Sequence, residues 1–177
     1  ALYDLVGKLL NVPVYKLWGL SVARTPLTSY TIGIDTPEVM AQKTLAARDY
    51  PILKIKVGTQ NDVANLKAIR EVSKAVIRVD ANTAWTPKEA VRAINELAEY
   101  DLEFVEQPVS PHDLAGLKYV REHVPLPIIT DESSITVEDI PRLADCVDGI
   151  NIKLMKCGGL HHALKMIHVA RAHKLKI

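Results

Sequence analysis

Lys56, Asp80, Glu106, Asp131 and Lys153 stand 24, 26, 25 and 22 residues apart along the chain. The steps are nearly equal, so one repeating unit could deliver each charged side chain to the same end of a fold. Three carboxylates gathered there would repel one another. A hard divalent cation resolves that repulsion, and an all-oxygen ligand set selects Mg²⁺, or Mn²⁺ as the second candidate, over zinc. The competing reading of any single carboxylate is a surface acid capping the helix that follows it. Two lysines flanking such a cation could do proton chemistry. A substrate carboxylate on the cation would hold its α-carbon between two amines, one removing the α-proton and the other delivering a proton to the opposite face. The cation and the ammonium groups would stabilise the enolate charge.

The stretch "PILKIKVG", residues 51–58, reads as a buried strand that nevertheless carries Lys54 and Lys56 two apart. Side chains alternate along a strand, so both lysines face the same side. Neighbouring ammonium groups disfavour each other's charge. Lys54 is thereby expected to lower the pKa of Lys56 and suit it to act as a base. The other reading is a pair of lysines snorkelling from a sheet edge.

The elements needed to hold these residues follow from periodicity. After an opening helix and a turn-rich stretch, "TSYTIGI" reads as a strand. "TPEVMAQKTLAARD" follows as a helix, with Thr36 as N-cap and Pro37 in its first turn. Strand and helix then alternate: "ILKIKVG" with "NDVANLKAIREVSKA", "VIRVDAN" with "TPKEAVRAINELAEY", and "LEFVEQPV" with "HDLAGLKYVREHV". "PIITDES" with "TVEDIPRLADC" and "GINIKLMK" with "GLHHALKMIHVARAHK" continue the series, and "LKI" opens a seventh strand. Such alternation implies right-handed crossovers and a parallel sheet. A dinucleotide-binding sheet would place GxGxxG after the first strand, and "IGIDTPEV" does not. Polar residues recur at the C-terminal ends of the strands, which points to an α/β (β/α) TIM-type barrel. Strands two and six lie opposite one another in an eight-stranded barrel, so Lys56 and Lys153 are expected to face each other across its mouth.

Together "KIK", "VDAN", "EQP", "DES" and "NIKLMKCGG" resemble the enolase superfamily, its muconate lactonizing enzyme subgroup, and within that the dipeptide epimerases of the L-Ala-D/L-Glu epimerase type. The superfamily's use of a Lys or His base with Mg²⁺ is a general pattern. The resemblance implies that Lys56 and Lys153 are the two acid/base catalysts, that Asp80, Glu106 and Asp131 bind Mg²⁺, and that Thr31 of "SYT" contacts substrate. It implies a small carboxylate substrate, a dipeptide such as L-Ala-D/L-Glu, epimerised by 1,1-proton transfer. Family members also carry an N-terminal α+β capping domain, and strands seven and eight bear an Asp-x-Asp element that holds the substrate's amino group. The chain is therefore expected to be an incomplete barrel of about six and a half βα units. Residues 1–25 would be a helix and linker, and residues 26–177 the partial catalytic barrel. Two alternatives stay open: a muconate cycloisomerase or o-succinylbenzoate synthase-like enzyme using the same lysines, and a non-catalytic truncated barrel.

Other residues weigh less. Asn82, Gln107 and Glu132 adjoin the carboxylate positions and could hydrogen-bond to them. Arg78 shares a face with Asp80 and, if that face is the barrel interior, requires a buried acidic partner. Trp85 packs either at the mouth or under the helix layer. His161, His162, His168 and His173 read as helix decoration rather than metal ligands, Cys157 as a packing residue, and "CGG" as a tight turn rather than a phosphate cradle. With 22 basic and 21 acidic residues and a formal net charge of +1, the chain has no broad electrostatic footprint for nucleic acid or membrane. Its two cysteines make no disulfide framework and fit a reducing, cytoplasmic setting. The chain begins inside a helical pattern without Met, as a piece of a longer protein would, and a homo-oligomer stays open.

Overall fold

The computed structural model describes residues 2–177. Among them six strands form one parallel sheet: β1 (Ser29–Ile32), β2 (Ile52–Lys56), β3 (Val76–Asp80), β4 (Leu102–Glu106), β5 (Ile128–Thr130) and β6 (Gly149–Ile150). Their spatial order is their chain order, and each neighbouring pair is parallel. A doubly wound sheet reverses strand order at a switch point; here there is no reversal. Ser29 of β1 and Lys176 and Ile177 beyond β6 line the same cavity of about 340 Å³, so the sheet curls around a lumen. The tail makes a parallel bridge from Lys176 to Gly149, and Lys176 donates to the Asp148 carbonyl at 3.0 Å. A Cβ at Gly149 would meet Lys176 Cβ at 2.8 Å, so only glycine admits this approach. The "LKI" segment thus opens a seventh strand as the sequence predicts.

Helices α1 (Leu2–Leu10) and α2 (Val14–Leu17) precede β1. The crossovers are α3 (Pro37–Ala46), α4 (Asp62–Val72), α5 (Pro87–Leu97), α6 (Leu114–His123) and α7 (Ile140–Leu143). Helix α8 (Leu154–Cys157) and α9 (Leu160–Ala172) follow β6. Start signals lie where the sequence puts them. Extended Thr36 precedes Pro37, and the Thr86 amide and hydroxyl both donate to Glu89 at 2.9 and 2.7 Å. Leu53, Ile55, Ile77, Val79, Val105 and Ile128 turn outward to meet Met40, Leu66, Ile69, Ile94, Leu117 and Ile140 in the buried layer. The alternate residues of the same strands are therefore left to line the lumen.

Two expected elements differ. "TVEDIPRLADC" forms a 3₁₀ turn, Val137–Asp139, before the four-residue α7. "GINIKLMK" is a strand only at Gly149–Ile150. The Asn151 amide still donates to Thr130, but Lys156 and Cys157 amides both turn back to the Lys153 carbonyl at 3.0 Å. Lys153 is therefore the N-cap of α8 rather than the last residue of β6.

Candidate active site

The register sets Lys56, Asp80 and Glu106 side by side across β2, β3 and β4, and sets Glu106 beside Ile129 of β5. Asp131, two residues beyond Ile129, returns to the same face one step past the strand end. Asp80 is 1%, Glu106 3% and Asp131 0% exposed, so each carboxylate would be costly to hold charged without partners. Each has two. The Lys54 ammonium bridges Asp80 Oδ2 at 2.9 Å and Glu106 Oε2 at 2.7 Å. Lys56 donates to the same Asp80 oxygen at 2.6 Å, and the Asn82 amide donates to Asp80 Oδ1 at 3.0 Å. Asn151 donates to Glu106 Oε1 at 3.0 Å. Asp131 is paired with Lys153 through Oδ2 and with Lys156 through Oδ1.

These pairs set the charge states. Burial alone would raise Asp80, but the Lys56 and Lys54 ammonium groups hold it below the usual carboxylate range. Burial likewise opposes ionisation of Asp131, and Lys153 and Lys156 overcome it. Burial pushes Lys54 down, while Glu106 and Asp80 together hold it above the usual lysine value. Lys153 is raised chiefly by its hydrogen bond to Asp131, against burial and the like charge of Lys54. Lys54 is thus a counter-ion to two carboxylates, a place its spacing from Lys56 does not reveal.

Asn82, Gln107 and Glu132 tie the loops together. The Asn82 side chain accepts from Lys56 and donates to Glu132 Oε1 at 3.0 Å, with its backbone at a φ of 43°. Gln107 is wholly buried. Its Oε1 accepts from the amides of Asp131 and Ser133, and its Nε2 donates to Ser133 Oγ and the Val109 carbonyl. Thr31 is exposed on β1, in register with Lys54. Sequence reasoning missed Asn151 and Lys156. A helical reading of "KLMK" would have found Lys156, one turn from Lys153; nothing local marks Asn151.

Arg78 corrects an expectation. Its partner is Glu103 at 2.5 Å, whose side chain is 46% exposed rather than buried, with Ser29 Oγ at 2.9 Å and the Phe104 ring below at 5.0 Å. The register slips between Ile77 and Val79, so β4 places both Glu103 and Phe104 opposite Arg78. Trp85 packs against the core. Gly158 and Gly159, at φ of 85° and 112°, turn the chain between α8 and α9, and Cys157 is buried behind them. His161 stands 3.4 Å from the Tyr3 hydroxyl.

The donor set at the mouth suits an oxygen-preferring divalent cation. Three buried carboxylates lie at or just past the ends of consecutive strands, and one positive centre, the Lys54 ammonium, already bridges two of them. Glu132 Oε2 is buried beside them with no hydrogen-bond partner. Among the described residues no three His, Cys, Asp or Glu side chains are arranged as a ready-made ligand set; the carboxylate oxygens are turned to ammonium groups instead.

Comparison with known proteins finds epimerases among the relatives of the chain. The L-Ala-D/L-amino acid epimerase of a Maribacter species is 44% identical over 177 residues, covering 100% of this chain and 52% of that protein. The hydrophobic dipeptide epimerase of Enterococcus faecalis is 49% identical over 174 residues, covering 94% and 49%. A crystal structure of the dipeptide epimerase from Enterococcus faecalis, complexed with Mg and the dipeptide L-Leu-L-Tyr, matches with a TM-score of 0.91 at 46% identity. That match covers 98% of this chain and 51% of the other. The chain spans about half the length of the curated relatives it matches. Residues 38–177 match the family described as enolase C-terminal domain-like. With that match over most of its length and a curled parallel sheet bearing the charges at its strand ends, the chain belongs to the enolase superfamily.

Proposed function

We propose that residues 26–177 carry the acid–base centre of a Mg²⁺-dependent dipeptide epimerase, with residues 1–25 as a helix and linker leading into it. The observation that carries this reading is the placement of Lys56 and Lys153 at the two ends of a row of three buried carboxylates, each lysine bonded to the carboxylate nearest it. Asp80, Glu106 and Asp131 would hold the cation, which when bound supplies positive charge to the substrate's carboxylate. Lys56, as the free amine, takes the α-proton from one face; Lys153, as ammonium, gives a proton to the other. One C–H bond breaks and one forms, and the two lysines end with exchanged protonation states. Lys54 remains an ammonium, adds charge where the enolate develops, and opposes the positive charge of Lys153. Thr31 would contact the substrate at the β1 edge, and Asn82, Gln107 and Glu132 would orient the groups that touch it. Both cysteines are free and buried, which fits a cytoplasmic enzyme. Among the described residues no helix is long and apolar enough to cross a membrane.

The test uses the protein at the full length of its gene product, with L-Ala-L-Glu and L-Ala-D-Glu in D₂O followed by NMR. Lys153→Ala should abolish epimerisation yet leave α-proton exchange in the epimer served by Lys56. Lys56→Ala should give the mirror result, with the loss mainly in kcat. A lysine variant that still epimerises near the native rate would refute the two-sided assignment.

A further inference from the structure

The three carboxylates are not placed by the same means. Asp80 and Glu106 end β3 and β4 in register with each other, so the ladder of the sheet sets them. Asp131 stands one residue past the end of β5, where that ladder has stopped. Another device must place it, and Gln107 stands where the next rung would be. Its main-chain amide donates to the Ile129 carbonyl of β5 at 2.8 Å, continuing the parallel pairing. Its main-chain carbonyl turns the other way, at a left-handed φ of 39°, and accepts from the Thr83 amide at 2.9 Å. The buried Asp131 amide still requires an acceptor.

The Gln107 side chain supplies it. Its Oε1 accepts from the Asp131 amide at 3.0 Å and the Ser133 amide at 3.1 Å. Its Nε2 donates to Ser133 Oγ at 2.8 Å and to the Val109 carbonyl at 3.0 Å. All four hydrogen-bonding positions of the carboxamide are used, and the two main-chain N–H groups dictate that its oxygen faces the turn. On the other side of that turn Ser134 is wholly buried, its hydroxyl 3.1 Å from the Asn151 carbonyl and 3.2 and 3.3 Å from those of Thr130 and Asp131. Asn151 in turn holds Glu106 Oε1. We propose that Gln107 and Ser134 are positioning residues that fix the turn at residues 131–134 through its main chain, and so present Asp131 beside Asp80 and Glu106 to one cation. This rests on the cation role given above to Asp131. Loss of the Gln107 side chain leaves the main-chain bonds of the β3 and β4 ends in place, so the damage falls on Asp131.

Two measurements on the full-length protein test this. In EDTA, hydrogen exchange followed by NMR should show the Asp131 and Ser133 amides of Gln107→Met exchanging roughly 10-fold faster than in the wild type, as a local opening would. The Ala81 and Thr83 amides, bonded to the main-chain carbonyls of Glu106 and Gln107, should keep their protection. Unchanged protection at Asp131 would overturn the proposal. Calorimetry should show Gln107→Met binding Mg²⁺ roughly 10–100-fold more weakly, the usual cost of losing a group that orients a ligand. That loss should persist in an Asp80→Asn background and vanish in Asp131→Asn, where no carboxylate remains to be misplaced. Full affinity, or the same loss in both backgrounds, would overturn the assignment. Ser134→Ala is the milder variant and decides the matter if Gln107→Met does not fold. It should weaken Mg²⁺ binding by roughly 2–10-fold, the worth of one hydrogen bond, and only while Asp131 is present; no loss would count against the proposal. A wild-type protein that binds no Mg²⁺ would instead refute the cation reading, and the exchange measurement would still decide whether Gln107 holds the turn.

Discussion

Replacing Lys54 by Met keeps the stem of the side chain and removes the one charge that bridges two buried carboxylates. Its ammonium lies 2.9 Å from Asp80 Oδ2 and 2.7 Å from Glu106 Oε2, which places those oxygens no more than about 5.6 Å apart. At an effective dielectric of about 20, unit charges at that distance repel by about 3 kcal/mol. Asp80 keeps Lys56 and the Asn82 amide, but Glu106 is left with the neutral Asn151. The Lys54 side chain is only 16% exposed, so water screens little of this. The variant in EDTA at pH 8 should therefore lose about 3 kcal/mol, at the lower end of the cost of breaking a buried pair.

The sign of two further dependences follows. Lowering the pH lets one of the two carboxylates take a proton, so the deficit should shrink towards pH 5. Adding Mg²⁺ supplies the missing charge, so it should raise the unfolding midpoint of the variant more than that of the wild type. Urea denaturation of the full-length protein at both pH values, with and without Mg²⁺, reads all three effects. A Lys54→Met protein as stable in EDTA as the wild type, or one whose deficit ignores both pH and Mg²⁺, would refute the bridging role.

Asp80→Asn and Glu106→Gln should each weaken Mg²⁺ binding measured by calorimetry, by at least the roughly 10–100-fold that losing an outer partner costs; unchanged affinity would remove these residues from the cation site. Stability should hold a plateau in pH. Asp80 and Asp131 are depressed, so their contribution is complete above the unfolded value of about 4 and lost as pH falls through the folded ones; Lys54 and Lys153 are raised, so theirs is complete below about 10 and lost as pH rises through the folded ones. Urea midpoints from pH 3 to 11 should fall at both ends. Asn65 on α4 is 2% exposed with both side-chain polar atoms unpartnered, so Asn65→Leu should stabilise the fold by about 1–3 kcal/mol in the same assay; a loss of stability would show that the amide is satisfied in solution.

The barrel and the row Lys56, Asp80, Glu106 were legible because one βα unit has a nearly fixed length. A charged residue repeating at that length marks the same end of successive strands, and registers tie those ends together. What escaped depends on short-range competition or on distant partners. "INIKLM" alternates as a strand does, but its pairing with β5 ends at the Asn151 amide, and the chain closes into α8. The extra residue at Glu103 and Phe104 cannot be read from β4 alone, since a slip is defined only against β3. Gln107 sits at a φ of 39°, and its four side-chain bonds reach residues as far as Ser133. None of these leaves a periodic trace.

The lysines at the mouth divide by what else they hold. Lys54 has two carboxylates, Lys156 a carboxylate and a backbone carbonyl, Lys56 a carboxylate and the Asn82 side-chain oxygen, and Lys153 one carboxylate. A proton-transfer residue must leave its partner during each turnover, and leaving is least costly where the partner's charge stays compensated. By that criterion Lys54 is the one that must stay, since among the described residues Glu106 pairs with no other ammonium; the roles proposed for Lys56 and Lys153 fall on lysines whose carboxylates keep Lys54 and Lys156.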